Sequence, residues 1–138
     1  MNIAIRYFTK SKKGNTYKLA SFISNKINVL AFDTNKDLEE EVDLLFLVNA
    51  MYASDIDDNV KEFLERNKDN IKLLVNVNSA ASGASTIKSV KKVCDKLGIA
   101  VSQDEYHTVA SWIFINKGRP NEADFNRLDE FVGKVVNK

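Results

Sequence analysis

Between a strand-like run and a helix-like run lies Ser11-Lys12-Lys13-Gly14-Asn15-Thr16, and these residue types at this place suit the capture of a phosphate. Loop N–H groups and the positive end of the following helix converge on an anion. Ser11 and Thr16 add hydroxyl donors, while Gly14 lets the backbone approach closely. Upstream, Ile3-Ala4-Ile5-Arg6-Tyr7-Phe8 is β-branched and aromatic; downstream, Leu19, Phe22 and Ile23 fall at helical spacing.

Other reactive side chains are few. His107 is the single histidine and is expected to be a hydrogen-bonded loop residue. Cys94 stands on an apolar helical stripe among Lys91, Lys92 and Lys96, and is expected to be a buried small hydrophobe. Asp55, Asp57 and Asp58 complement a helix N-terminus, and no set of carboxylates or histidines has the convergence of a metal site. Trp112 is expected in the core beneath a long loop.

The elements that must position these groups alternate along the chain. Strands are predicted over 2–8, 28–32, 43–49, 71–77 and 99–106. The nearly continuous apolar runs of the third and fourth mark strands covered on both faces. Helical stripes lie between them: Ile56, Val60, Phe63 and Leu64; Val90, Val93, Cys94 and Leu97; Phe125, Leu128, Val132 and Val135. A short acidic helix is expected over Thr34–Glu41. Ser54 with Asp57, and Asn121 with Asp124, have the spacing of capping boxes, and Gly98 that of a C-terminal cap. Strand and helix alternating over residues 1–138 imply a single α/β domain with a doubly wound parallel sheet. Ligands of such a sheet bind beyond the strand C-termini, which selects loops 9–15, 49–55, 78–85 and 107–119.

Composition narrows the function classes. Twenty basic and nineteen acidic residues leave a net charge of +1, which argues against a nucleic-acid binder. With one cysteine there is no internal disulfide framework. No apolar run reaches 18 residues and no basic-then-apolar leader opens the chain. A cytoplasmic protein with no membrane contact is expected.

Tyr7 to Ala20 resembles the FMN phosphate loop of the flavodoxin family, whose usual form is [Ser/Thr]-x-Thr-Gly-Asn-Thr after the first strand. Weaker resemblance lies in Val42–Leu47 leading to Asn49-Ala50-Met51-Tyr52-Ala53, and in Asn116–Glu122. The resemblance spans essentially the whole chain and implies five strands in the order 2-1-3-4-5, five helices on both faces, and FMN at the switch point. It implies that Thr9, Ser11, Lys12, Lys13, Gly14, Asn15 and Thr16 hold the phosphate, with Thr9 and Ser11 competing as first hydroxyl. Asn49, Ala50, Met51, Tyr52 and Ala53 would meet the ring, Met51 and Tyr52 as a platform. Ser79, Ala80, Ala81, Ser82 and Gly83 would meet its polar edge through main-chain groups.

Three departures stand out. Lys13 replaces a usual threonine, the 78–85 loop brings no second aromatic, and the chain is not acidic as carrier flavodoxins are. The resemblance therefore implies an FMN-binding electron carrier, monomer or weak homodimer, working with a redox partner protein or a small-molecule acceptor. Two alternatives stay open: an FMN-dependent NAD(P)H:quinone-type reductase, and a domain that has lost FMN and acts as a binding module.

Overall fold

Five parallel strands form the centre of the computed structural model, which describes residues 1–10, 14–111 and 117–137. They are β1 Ile3–Tyr7, β2 Ala31–Asp33, β3 Leu44–Ala50, β4 Leu74–Ala80 and β5 Tyr106–Val109, in the order β2-β1-β3-β4-β5. β1 pairs with β3 in the register Ile3–Leu44 to Tyr7–Val48, and β3 with β4 from Leu45–Leu74 to Ala50–Ser79. β3 is buried but for its last residue and β4 along its whole length, as their apolar runs require of strands covered on both faces. The order implied by the resemblance is the order observed.

Helices α1 Asn15–Ile27 and α4 Glu122–Val136 cover one face, where Leu19, Ile23, Leu128 and Val132 pack on Ile5, Phe46 and Val75. Helices α2 Asp58–Asn67 and α3 Ile87–Leu97 cover the other, where Val60, Phe63, Val90 and Cys94 pack on Leu45, Leu47 and Leu74. Each predicted stripe thus points to the sheet. Among the described residues no helix is long and apolar enough to cross a membrane.

The helix expected over Thr34–Glu41 does not form. Its backbone groups are taken by side chains from elsewhere. Arg6, a buried residue of β1, donates Nε to the Lys36 carbonyl at 2.8 Å and Nη2 to the Asp37 carbonyl at 3.2 Å. Asn67 Oδ1 accepts from the Leu38 N–H at 2.8 Å, and Asp33 Oδ1 from the Asn35 N–H at 2.8 Å. A segment with one apolar anchor, Leu38, gains more from these bonds than from two marginal turns of helix. The described residues therefore hold four α-helices rather than five, with a short 3-10 helix at Lys68–Asn70.

Strand boundaries also move. The second strand is Ala31–Asp33 rather than 28–32, because α1 runs to Ile27 and Asn28 is its left-handed C-cap (φ +56°). The fourth strand runs from Leu74 to Ala80, not 71–77; Ile71 makes only an isolated bridge to Val42. The predicted fifth strand at 99–106 is the larger error. Val101 bridges Leu74 once, the chain then leaves the sheet, and regular pairing begins only at Tyr106. Ser102 Oγ accepts from the Asp104 N–H at 3.1 Å, a local turn that interrupts the strand.

Of the caps, Asn121 and Asp124 form the reciprocal box expected of them, and Gly98 ends α3 at φ +76°. Ser54 does not cap α2. Asp57 does, accepting from the Asn59 N–H at 2.9 Å. A carboxylate there serves both the open N–H groups and the helix dipole. Cys94 is fully buried on α3, and burial pushes its thiol up to about 12. The native protein is expected to resist iodoacetamide at pH 8 and to react once unfolded in urea. Equal rates in both states would contradict that burial.

Candidate functional site

A cavity of about 630 Å³ opens at the C-terminal edge of the sheet, within the size range of cofactor sites. Every strand but the edge strand β2 delivers residues to it. Thr9, Lys10, Gly14, Asn15 and Thr16 follow β1; Ala50 to Ala53 end β3 and begin the next loop. Ser79 and Ala80 end β4 and Ala81 follows it, and Ala110 and Ser111 follow β5. The floor lies where β1 and β3 diverge toward helices on opposite faces, the switch point of a doubly wound sheet.

The loop side of this cavity is a helix start. Gly14, extended at φ −76° and ψ −172°, is the N-cap of α1 and has no side chain with which to cap it. No acidic residue stands in the first turn, although Asp57 caps α2 and Asn121 caps α4. Thr16 is buried, at 2% exposure, against the cavity. Asn15 Nδ2 donates to the Ser111 carbonyl and hydroxyl, both at 3.3 Å, so the first and last loops of the site are tied together. Positive helix-end charge thus faces a cavity without any described acidic side chain lining it.

Small residues make most of the remaining wall; Tyr52 and Met51 are the large ones. The Tyr52 ring meets Phe8 edge-on, with centroids 6.5 Å apart and planes at 82°. Its hydroxyl accepts from the Lys10 N–H at 3.3 Å, and the Lys10 ammonium lies 4.4 Å from the ring centroid. The segment bearing Tyr52 is a two-residue reversal. Tyr52 and Asp55 exchange backbone bonds of 2.7 and 3.0 Å, with Ala53 at φ +49° and Ser54 at φ +68°. Two consecutive left-handed residues define a turn that favours Asn-Gly, yet the sequence supplies Ala-Ser. The Lys61 ammonium, 2.8 Å from Asp55 Oδ2, holds the far end and keeps the Asp55 carboxyl below its ordinary value. Ser54→Gly is expected to stabilise the fold by about 1 kcal/mol by relieving the left-handed side-chain penalty, read as a shift in urea midpoint. A lower midpoint would contradict the turn geometry.

Beneath the third loop lies a buried amide network. Asn49 Nδ2 donates to Asn76 Oδ1 at 2.7 Å, Asn76 Nδ2 to Thr86 Oγ1 at 3.0 Å, and Thr86 Oγ1 to Asn49 Oδ1 at 2.7 Å. Asn78 extends it, accepting from the Thr86 N–H at 3.1 Å and donating to the Ala84 carbonyl at 2.9 Å. Because each buried amide is paired, the network fixes the loop between β4 and α3 without cost from orphaned polar atoms.

The expected site residues therefore separate. Thr9, Gly14, Asn15, Thr16, Ala50, Met51, Tyr52, Ala53, Ser79, Ala80 and Ala81 come together around one cavity. The side chain of Asn49 belongs to the buried network, and Ser82 and Gly83 lie off the cavity wall. Gly83, at φ +78°, turns the chain so that its carbonyl meets His107 Nδ1 at 2.7 Å. His107, the second residue of β5 rather than a loop residue, is thus a brace for that turn. Ser79 and Ala80 are strand residues rather than loop residues. Ser11, Lys12, Lys13 and Trp112 lie outside the described residues. Lys10, Ala110 and Ser111 also line the cavity without having been expected among its site residues, although the selected loops 9–15 and 107–119 contain all three.

Solved structures with this arrangement of strands and helices are numerous. A flavodoxin from the domain Archaea superposes with a TM-score of 0.74 at 12% identity, over 99% of this chain and 97% of that one. The chain has a flavodoxin-like fold. The flavodoxin of Streptococcus pneumonia TIGR4 gives 0.68 at 17% identity, over 98% of each chain. An NAD(P)H:quinone oxidoreductase from Methanothermobacter marburgensis gives 0.63 at 12% identity, again over 98% of each. No protein-family model matches this flavodoxin-like chain, and neither does any curated protein.

Proposed function

We propose that this protein binds FMN at the cavity between the four strand ends and serves as an electron carrier. The observation that carries the reading is the start of α1. Its glycine N-cap and acid-free first turn face a cavity walled by small residues and one aromatic platform. A phosphate finds donors at one end and a planar ring finds an apolar slot at the other.

Thr9, Ser11, Lys12, Lys13, Gly14, Asn15 and Thr16 would hold the phosphate, with Lys12 and Lys13 adding positive charge. Met51 and Tyr52 would cover one ring face, with Ala50 and Ala53 beside them. Main-chain groups of Ser79, Ala80 and Ala81 would meet the polar edge. When bound, FMN supplies the one- and two-electron chemistry, and the protein's part is to bind, orient and tune it.

A carrier takes electrons from one protein and passes them to another. FMN-loaded protein is expected to leave NADPH unconsumed by itself, and to transfer electrons to cytochrome c once an NADPH-dependent flavodoxin reductase is added. Rapid NADPH consumption by the protein alone would replace the carrier reading with that of a reductase.

A further inference from the structure

We infer that Lys10 is a charge-setting residue of this site and raises the reduction potential of the bound flavin. The inference rests on the FMN reading and goes beyond it to the direction in which this chain tunes its cofactor. Lys10 lines the same cavity as the Tyr52 platform. Its ammonium is 4.4 Å from the Tyr52 ring centroid, and its backbone N–H is bonded to the Tyr52 hydroxyl at 3.3 Å. Main chain and side chain are thus both fixed to the residue that would stack on the flavin.

Among the described residues one counter-charge pairs with this ammonium, Asp57, with Oδ2 at 3.6 Å from Nζ. Asp57 is already committed to α2, where its Oδ1 accepts from the Asn59 N–H at 2.9 Å beside the positive end of that helix. Its charge is therefore shared between two positive neighbours, and the Lys10 charge is incompletely balanced. Reduction adds an electron to the ring and with it negative charge. A cation held on the same platform favours that form over the oxidised one. The Lys10 side chain is 59% exposed, so water and salt screen the effect to within about tenfold.

The test is redox titration of the FMN-loaded protein with dithionite, which gives up the electron that the ring accepts, in K10R, K10M and K10E. The potential is expected to follow charge: K10R with the parent, K10M lower, K10E lower again. Each unit of charge is expected to change the preference for reduced over oxidised FMN about three- to tenfold, tenfold being 59 mV for one electron. A second variant approaches from the other side. D57N keeps an asparagine cap on α2 and removes the counter-charge, so the potential is expected to rise. The expected shifts shrink in 1 M salt. Parent-like potentials in K10M, K10E and D57N would overturn the role of Lys10 while leaving the FMN site standing. A parent protein that retains no FMN would overturn both.

Discussion

Replacing Asp124 with alanine is expected to cost the fold about 3 kcal/mol, from lost charge-assisted hydrogen bonds, among them the Asp124 half of the capping box that Asn121 begins. This carboxylate is completely buried, yet it is surrounded by donors. Arg119 binds it through two bonds, at 2.6 Å to Oδ2 and 2.8 Å to Oδ1. The Asn121 N–H binds Oδ2 at 2.7 Å, and Arg127 also pairs with Oδ1. Both arginines keep part of their surface in water, at 34% and 57% exposure. Their release therefore costs less than stranding two buried cations would.

The damage should reach the site. The Arg119 carbonyl accepts from the Ser111 N–H at 2.9 Å, and Ser111 accepts from Asn15 at the start of α1. The Asp124 carboxyl is held well below its ordinary value of 3.8, at about 2, first by Arg119 and then by the Asn121 N–H. Its contribution is present above the unfolded value near 3.8 and is lost as pH falls from there toward 2. That contribution amounts to about 2 kcal/mol by linkage. Urea melts of parent and variant should differ by about 3 kcal/mol at pH 7 and by only about 1 kcal/mol at pH 2. A difference that persists unchanged at pH 2 would contradict ionisation of Asp124 as its source.

The second large effect concerns the phosphate. Ser11→Ala with Thr16→Ala is expected to weaken FMN binding by about 3–6 kcal/mol, since each charge-assisted hydroxyl bond is worth roughly 1.5–3. The same pair of substitutions should leave riboflavin binding unchanged, because riboflavin carries no phosphate. Thr16 lines the cavity and is buried there, so a serine control at 16 keeps the hydroxyl and separates its loss from a packing defect. Equal weakening of FMN and riboflavin would move the phosphate away from these hydroxyls.

What could be read in advance followed from periodicity and punctuation. β1, the Gly14 turn and α1 were legible because a β-branched run, a glycine and a 3.6-residue stripe follow one another directly. The strand order came from the resemblance, and the fold agrees with it. What escaped depended on side chains distant in sequence. Nothing in Thr34–Glu41 announces that Arg6, about thirty residues earlier, will take its carbonyls, nor that Asn67 will take the Leu38 N–H. Apolar Ile99 and Val101 imitate a strand, but Leu74 pairs only briefly with that stretch before the turn at Ser102. Asn76 is absorbed into a run that reads as nearly continuous, and Asn78 falls in the loop expected over 78–85. Their purpose shows only when Asn49 and Thr86 are brought beside them. Asn49, Ser82 and Gly83 fell among the expected site residues because a loop tells which edge a residue is on, and not which way it faces.

The most direct test of the account is a flavin titration of the purified protein, followed by visible absorption after removal of free flavin. The phosphate cradle predicts that FMN is retained stoichiometrically, with a band near that of free flavin, and that riboflavin is not. Retention of both alike, or of neither, would contradict a site built on the start of α1.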